Sequence, residues 1–189
     1  IGSTLSSINI LSRTAQFSLD KTESSKIKTA LEKINERSQR LLTNMSDIIW
    51  NIKTGNDTLE DVMSRMREYA VSIFEAQNIE FSILFPENTM NCKLSMTEKN
   101  NLYMIFKESV NNLAKYSGAT HANIQLIIST NHLQMSISDN GRGFEESELF
   151  HSGGLLNMRQ RAEEMNGRFN IISGPGKGTF LELSMPYSC

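Results

Sequence analysis

The sequence has few of the features that mark secreted, membrane-spanning or nucleic-acid-binding proteins. Its two cysteines, Cys92 and Cys189, stand in no CxxC or Cys/His pattern, so we interpret them as reduced thiols of a cytosolic protein. No apolar run approaches the roughly 20 residues that span a bilayer. Lys and Arg together number 19 and Asp and Glu 21, which leaves a formal net charge of -2. No basic surplus therefore favours nucleic acid as a partner.

The chain also lacks an initiator methionine and a signal sequence, because it begins with Ile1 inside an apolar-periodic segment. We expect that it is cut from a longer protein, whose upstream part is compatible with a membrane anchor. With 189 residues, of which 39% are apolar and 21% charged, the composition is that of a globular protein. This length predicts one ordinary domain and a smaller appended element.

Residues 1–53 have the period of amphipathic helices. Apolar residues recur in steps of three and four over 1–19 and again over 27–52, with one serine in each series. The polar stretch 20–25 separates them, which predicts an antiparallel helical hairpin. The wide apolar face favours pairing with a second copy into a dimeric four-helix bundle. Packing of the hairpin on the following domain is the alternative.

Residues 54–189 have a mixed pattern that predicts a two-layer α/β sandwich, so the fold class is α+β. Capping boxes at Asp57 with Glu60 and at Ser95 with Glu98 begin two helices, the second reaching about Tyr116. Alternating segments predict strands at 79–85, 122–128, 133–137, 169–171 and 179–185. A further helix is predicted over 155–166, with Gly167 as its C-cap. Helices and antiparallel strands in this order indicate helices on one face of a sheet.

Four short segments carry the candidate chemistry. They are ESVNN at 108–112, DNGRGF at 139–144, SGGLLNM at 152–158 and GPGKGTF at 174–180. Each alone is most often a solvated helix face, a tight turn, a sharp start of a helix or a hairpin loop. Their joint occurrence in this order indicates a nucleotide site.

The second segment suits an adenine base. Asp139, at the end of a predicted strand, can accept a hydrogen bond from the exocyclic amine of adenine, which guanine lacks at that position. Gly141 and Gly143 allow the backbone to approach a flat base without a Cβ collision. These residues predict the base-binding end of the site.

The other segments suit the phosphates. Free N–H groups at the helix start formed by Gly153, Gly154 and Leu155 can bind phosphate oxygens, and Lys115 provides a point charge. The amide oxygen of Asn112 is a plausible ligand for Mg²⁺ when the triphosphate supplies most of the others.

Glu108 lies one helical turn before Asn112 and is a candidate general base toward an incoming nucleophile. The chain contains no Walker loop of the form GxxxxGK[ST] and no GxGxxG after a strand. The pattern therefore excludes the two commonest nucleotide-binding loops.

The four segments resemble the N, G1, G2 and terminal GxGT boxes of the histidine kinase catalytic domain, in the wider family that includes gyrase B, Hsp90 and MutL. The resemblance covers nearly the whole chain. The sequence GLxxMRxR and the short stretch between Phe144 and Gly153 are similar to the subfamily of nitrate and lipid-fluidity sensors. The resemblance implies that Asp139 binds adenine, that Asn112 binds Mg²⁺ and that Glu108 is the base. It also implies that Thr179 supports the adenine side of the site.

The start of the chain, IGSTLSSI, is similar to the residues that follow the subfamily's phosphoacceptor histidine. The resemblance thus implies that residues 1–53 are a dimerisation and histidine-phosphotransfer hairpin without that histidine. It also implies phosphate transfer from ATP to the upstream histidine, and then to the receiver domain of a response regulator. His121, His132 and His151 are interpreted as surface residues.

Three residues depart from the family pattern. Ser152 replaces the first glycine of the G2 box, which puts the closure of the lid, the stretch between Phe144 and Gly153, in doubt. Tyr116 replaces a common histidine after the N-box lysine, and Ser3 falls where many relatives have a glutamine linked to dephosphorylation of the regulator. Phosphatase activity is therefore not implied.

Two other functions compete with that of a kinase core. One is a catalytically silent dimer module that senses ATP, which Glu108 argues against because a silent module does not need a base beside its metal ligand. The other is an ATP-driven clamp, which the short lid and the long heptad hairpin fit poorly.

Overall fold

The computed structural model describes residues 2–20, 24–52, 58–87, 89, 93–145 and 153–187, and the chain divides into two units, residues 1–53 and 54–189. The sequence interpretations of Cys92, Cys189, His151 and Ser152, and of the Ser3 side chain, lie outside what is described. None of the helices in the described ranges is both long and apolar enough to span a lipid bilayer.

In the first unit the structure describes two helices, α1 (Gly2–Asp20) and α2 (Ser24–Ile52), which pack against each other. The buried apolar side chains described in this unit are small, Ala15 and Ala30. Large members of the predicted stripe remain in contact with solvent, since Leu5 is 57%, Leu31 55% and Met45 41% exposed. One hairpin by itself therefore leaves part of its apolar stripe uncovered.

The described part of the second unit contains three α-helices, a π-helical turn and five strands. The helices are α3 (Leu59–Ala76), α4 (Met96–Asn112) and α5 (Gly153–Glu164). The strands are β1 (Glu80–Leu84), β2 (His121–Ser129), β3 (His132–Asp139), β4 (Arg168–Ser173) and β5 (Thr179–Pro186). The predicted α+β class is confirmed.

The strands form one mixed sheet in the order β1-β2-β3-β5-β4. β2, β3, β5 and β4 pair antiparallel, as the sequence predicts, but β1 pairs parallel with β2. The reason is the connection: α4 lies between β1 and β2, and a crossover helix returns the chain in the same direction. In the two central ladders Asp139 stands opposite Ala122 on one side and Thr179 on the other.

One face of the sheet is covered by the helices and the other is open. Alternate residues of β2, β3 and β5 are buried, as a half-covered strand requires. The buried strand residues are Ala122, Ile124, Leu126, Leu133, Met135, Ile137, Leu181, Leu183 and Met185. The helices contribute Met66, Phe74, Leu102, Ile105, Phe106 and Met158 to the same core. This two-layer packing is the predicted sandwich.

The capping box of α4 is where the sequence predicts it, but that of α3 is not. Ser95 Oγ accepts the Glu98 N–H at 3.2 Å, and Glu98 Oε2 accepts the Ser95 N–H at 2.7 Å. The N-cap of α3 is Thr58, whose hydroxyl accepts the Asp61 N–H at 3.2 Å. The prediction of Asp57 as the cap was wrong by one residue, because Thr and Asp form a capping box as Ser and Glu do.

The end of α5 also differs from the prediction. The helix ends at Glu164, and the residue in the left-handed region is Asn166, with φ 53°. Gly167 was predicted to be this cap, yet it is required for another reason. A Cβ on Gly167 would lie 2.8 Å from the Ser184 carbonyl oxygen of the neighbouring strand.

Candidate functional site

A cavity of about 730 Å³ lies in the second unit and is bounded by α4, α5, the central strands and the loops that follow them. Cavities of this size commonly hold small ligands. Seven of the residues predicted from the sequence line it: Glu108, Asn112, Asp139, Gly143, Gly154, Leu155 and Thr179. Gly141, Gly153 and Lys115 are outside this lining. The fold thus brings together segments that are up to 71 residues apart in the sequence, from Glu108 to Thr179.

Asp139 is half-buried at the end of β3. Its Oδ1 atom accepts the Gly141 N–H at 2.8 Å, and the backbone and the hydroxyl of Thr179 also hydrogen bond to its carboxylate. Burial raises the pKa of the Asp139 carboxyl above its ordinary value, and the bonds from Gly141 and Thr179 oppose that rise. The carboxylate is therefore fixed in position and partly shielded from water.

The glycines after Asp139 are needed first for contacts within the protein. A Cβ on Gly141 would lie 2.5 Å from the Ser117 carbonyl oxygen. Gly143 has φ 62° and stands against the Gly174 carbonyl, where a side chain would collide. The sequence analysis explained both glycines by approach to a flat ligand, and it could not see these backbone neighbours.

Asn140 has a structural role that the sequence analysis missed. Its Oδ1 atom accepts the backbone N–H groups of Thr120 at 3.0 Å and His121 at 2.9 Å, and its Nδ2 atom donates to Thr120 Oγ1 at 2.9 Å. The Asn-Gly pair predicts a turn with positive φ, but neither Asn140 nor Gly141 has one. No local pattern indicates that the side chain binds a segment 20 residues away.

Ser173 is a second residue that the sequence analysis missed. Its Oγ atom accepts the Phe144 N–H at 3.0 Å, donates to the Gly178 carbonyl at 2.9 Å and lies 3.3 Å from Thr179 Oγ1. One hydroxyl therefore joins the loop after β3 to the start of β5. The residue occurs in an ordinary strand end, so no motif signals it.

Glu108 and Asn112 lie on one face of α4 and line the cavity, as their spacing predicts. Between them, the buried Ser109 donates to the Ile105 carbonyl at 2.8 Å and lies 3.4 Å from Met158 Sδ of α5. Gly154, in the first turn of α5, faces the Glu108 carboxylate so closely that any side chain there would overlap it. The candidate base thus stands beside the start of α5.

The end of α4 is wound differently from the prediction. Regular helix stops at Asn112, and Leu113–Ser117 form a π-helical turn followed by Gly118 at φ 63°. The wider winding changes the direction of the residues after Asn112. Tyr116 lines the cavity although it is 61% exposed, whereas Lys115 is exposed and is not part of the lining. In this structure the Lys115 side chain is therefore not already placed in the cavity where it is predicted to contact phosphate.

The π-helical turn also holds the loop after β3. Ser117 Oγ donates to the Leu113 carbonyl at 2.7 Å and accepts the Ala119 N–H at 2.9 Å. Its own carbonyl accepts the Arg142 N–H at 2.8 Å, and the Arg142 carbonyl accepts the Gly176 N–H at 2.6 Å. The loop is thus attached to the helix on one side and to the β4–β5 loop on the other.

Comparison with known proteins agrees with this geometry. Residues 97–188 match the family of histidine kinase-, DNA gyrase B-, and HSP90-like ATPases. The sensor protein VraS of Staphylococcus epidermidis is 37% identical over 89 residues, which are 47% of this chain and 26% of that protein, and VraS of Staphylococcus aureus matches equally. The chain thus matches about a quarter of the length of these relatives.

Solved structures of histidine kinases share the fold. Histidine kinase AdeS of Acinetobacter baumannii superposes with a TM-score of 0.65 over 97% of this chain and 96% of that one, at 12% identity. The blue-light activated histidine kinase of Erythrobacter litoralis gives 0.54 over 67% of this chain and 42% of that one, at 19% identity.

The fold and the cavity together define an ATPase domain of the histidine kinase, gyrase B and HSP90-like class. Residues 97–188 match this class, part of the chain is also similar in sequence to the sensor protein VraS, and the fold is the one found in solved histidine kinase structures.

Burial of Asp139 has a consequence for stability. Because its pKa is raised in the folded state, the folded state loses stability as the pH rises from the ordinary value of 3.8 through the raised pKa. Asp139→Asn has no carboxyl group to titrate, so without nucleotide its stability should fall less than that of the parent protein between about pH 4 and about pH 7. Urea denaturation of both proteins at the two pH values measures this. An equal change in the two proteins would contradict it.

Proposed function

We propose that this chain binds Mg-ATP in the cavity and is the catalytic core of a two-component sensor histidine kinase. In this proposal the γ-phosphate passes to a histidine just upstream of Ile1, and from there to the receiver domain of a response regulator. The observation that carries the proposal is the fixed, half-buried Asp139 carboxylate in a cavity that Glu108 and Asn112 also line. The kinase core is proposed to work in the cytoplasm, with any membrane anchor elsewhere in the full protein.

The base-binding end has both the polar and the apolar parts that adenine requires. An ionised carboxylate offers about four acceptor positions, and the bonds from Gly141 and Thr179 occupy three of those on Asp139. One position remains for the exocyclic amine of adenine. Guanine has a carbonyl oxygen at that position. This oxygen and the Asp139 carboxylate are both acceptors, so they cannot form a hydrogen bond and guanine binding is disfavoured. The apolar side chains of Ile137, Ile171, Leu181 and Met158 line the same cavity and suit a flat ring.

The metal-binding groups fit magnesium held mainly by phosphate. The described residues contain no cluster of three or more His, Cys, Asp or Glu side chains that could hold a metal ion by themselves. An amide oxygen from Asn112 beside a triphosphate matches the sparse protein ligation that Mg²⁺ usually has. When bound, Mg²⁺ neutralises charge on the phosphoryl oxygens.

The remaining residues are assigned to the phosphate end. The N–H groups at the start of α5, from Gly153, Gly154 and Leu155, are proposed to donate to phosphate oxygens. Glu108, beside that helix start, is proposed to accept the proton of the incoming imidazole. The flexible side chain of Lys115 is proposed to reach a phosphate from the π-helical turn.

Nucleotide binding should depend on Asp139. We expect Asp139→Asn to weaken Mg-ATP binding at least tenfold, because it replaces a charged acceptor. The exposed Glu75→Gln on α3 is the control and should bind like the parent protein. Isothermal titration calorimetry measures the affinity of both variants, and unchanged affinity in Asp139→Asn would remove the assignment of Asp139 to adenine.

The metal role of Asn112 can be tested separately. Asn112→Asp should change the magnesium concentration at which ATP binds.

Phosphotransfer should need the upstream residues. Residues 1–189 should bind ATP without labelling themselves, because no positioned nucleophile reaches the γ-phosphate. The chain extended by its native upstream residues should gain acid-labile label from γ-labelled ATP. In that extended chain Glu108→Gln should slow labelling and spare ATP affinity. Equal labelling rates would favour the ATP-sensing module, and label on His121 or His132 would show a different acceptor.

The hairpin of α1 and α2 is proposed to form a homodimer. The exposed Leu5, Leu31 and Met45 are the part of its stripe that a second copy would cover. Leu31→Asp combined with Met45→Asp should therefore convert a dimer to a monomer in sedimentation at micromolar concentration. Asn35→Asp, which adds a charge at an exposed polar position of α2, should remain dimeric. A parent protein that sediments only as a monomer would contradict the dimer.

A further inference from the structure

Helix α5 is attached to the rest of its unit by few apolar side chains. Of its twelve residues, Met158 and Ala162 are buried. The motif GLxxMRxR lies in this helix, and its second arginine, Arg161, has no part in the function proposed above. A polar anchor is therefore expected where apolar contacts are sparse.

That anchor is the side-chain amide of Asn101 on α4, which is 2% exposed. Arg161 Nη1 donates to Asn101 Oδ1 at 2.8 Å, and Asn101 Nδ2 donates to Glu164 Oε2 at 2.9 Å. Arginine can only donate and an ionised glutamate can only accept. The amide of Asn101 has both a donor and an acceptor and therefore binds the two partners at once.

The contacts between the two helices form a series. On α4, Asn101 and Glu108 are seven residues apart and therefore share one face of the helix. Ser109 is the residue after Glu108. On α5, Gly154 contacts Glu108 and Met158 contacts Ser109. Arg161 and Glu164, farther along α5, bind Asn101. The helices are thus antiparallel. The Asn101 bridge lies at one end of their interface and the Gly154 contact at the other, and together they set how α5 is aligned along α4.

We propose that Asn101 is a positioning residue: its bridge to Arg161 and Glu164 sets the register of α5 on α4 and so holds the start of α5 beside Glu108. The inference rests on the proposed function, in which the start of α5 binds phosphate. A slip of one turn would move that helix start by about 5.4 Å. Such a slip would separate the phosphate-binding N–H groups from the base without altering Asp139.

Loss of the Asn101 bridge should affect only the binding of the β- and γ-phosphates of ATP. Asn101→Leu removes both hydrogen bonds, and we expect it to weaken Mg-ATP about tenfold while AMP affinity stays unchanged. A general loss of structure would weaken both nucleotides, so the ratio of the two affinities is the informative readout. Asn170→Leu, the same change at an exposed position of β4, should leave both affinities as they are.

A second variant tests the hydrogen bonds themselves. Asn101→Asp combined with Glu164→Gln rebuilds the bridge with donor and acceptor exchanged, so it should retain the parent ATP-to-AMP ratio. Glu163→Gln, at the exposed neighbouring position, is its control. If Asn101→Leu fails to fold, Asn101→Asp alone takes its place: it sets two carboxylates against each other and should lower the ATP-to-AMP affinity ratio, which the added Glu164→Gln should restore.

The possible outcomes separate the two ideas. An unchanged ratio in a folded Asn101→Leu protein, or a ratio shifted toward AMP in the rebuilt pair, would overturn the positioning role. Failure of the parent protein to bind ATP at all, measured in the same titrations, would instead contradict the proposed function.

Discussion

The site depends on one constraint: a charged carboxylate is held at the end of a central strand, partly out of water. Asp139 keeps this position because Gly141 and Thr179 donate hydrogen bonds to it. Thr179 can do so because β5 pairs with β3 in a register that places the two residues opposite each other. Any change of that register would move the donors away from the carboxylate and leave its burial uncompensated.

The surrounding loops serve the same constraint by attaching to one another. Asn140 binds the start of β2, Ser117 binds the backbone of Arg142, and Ser173 joins Phe144 to Gly178. Each attachment fixes a loop through backbone groups, which thereby gain hydrogen-bond partners within the protein. The glycines then allow these loops to lie closer together than side chains would permit.

Much of this fold could be predicted from period and capping, because those signals are local. The strands around Ile124, Met135 and Leu183 alternate cleanly, and Ser95 with Glu98 marks the start of α4. The parallel direction of β1 was not predicted, since its hydrophobic pattern is the same in either direction. The direction of β1 relative to β2 is set by the crossover connection through α4.

The candidate site divides in the same way. The glycine boxes, Asp139 and the Glu108–Asn112 face carry sequence signals, and seven of those residues line one cavity. Asn140, Ser173 and Asn101 carry none, because each binds a segment that is distant in the sequence, through Thr120, Phe144 and Glu164 respectively. Lys115 was placed by assuming that α4 continues as a regular helix, and the π-helical turn alters its direction.

The two-residue connection between β2 and β3 affects the order in which this domain can fold. Ser129 and His132 pair directly across the turn, so this hairpin needs only a short loop closure and can form within microseconds. The cavity instead joins α4 to β5, a far more distant pairing that closes slowly. Because Thr179 and Leu181 of β5 line the cavity, a chain emerging from the ribosome can complete it only when β5 has been made.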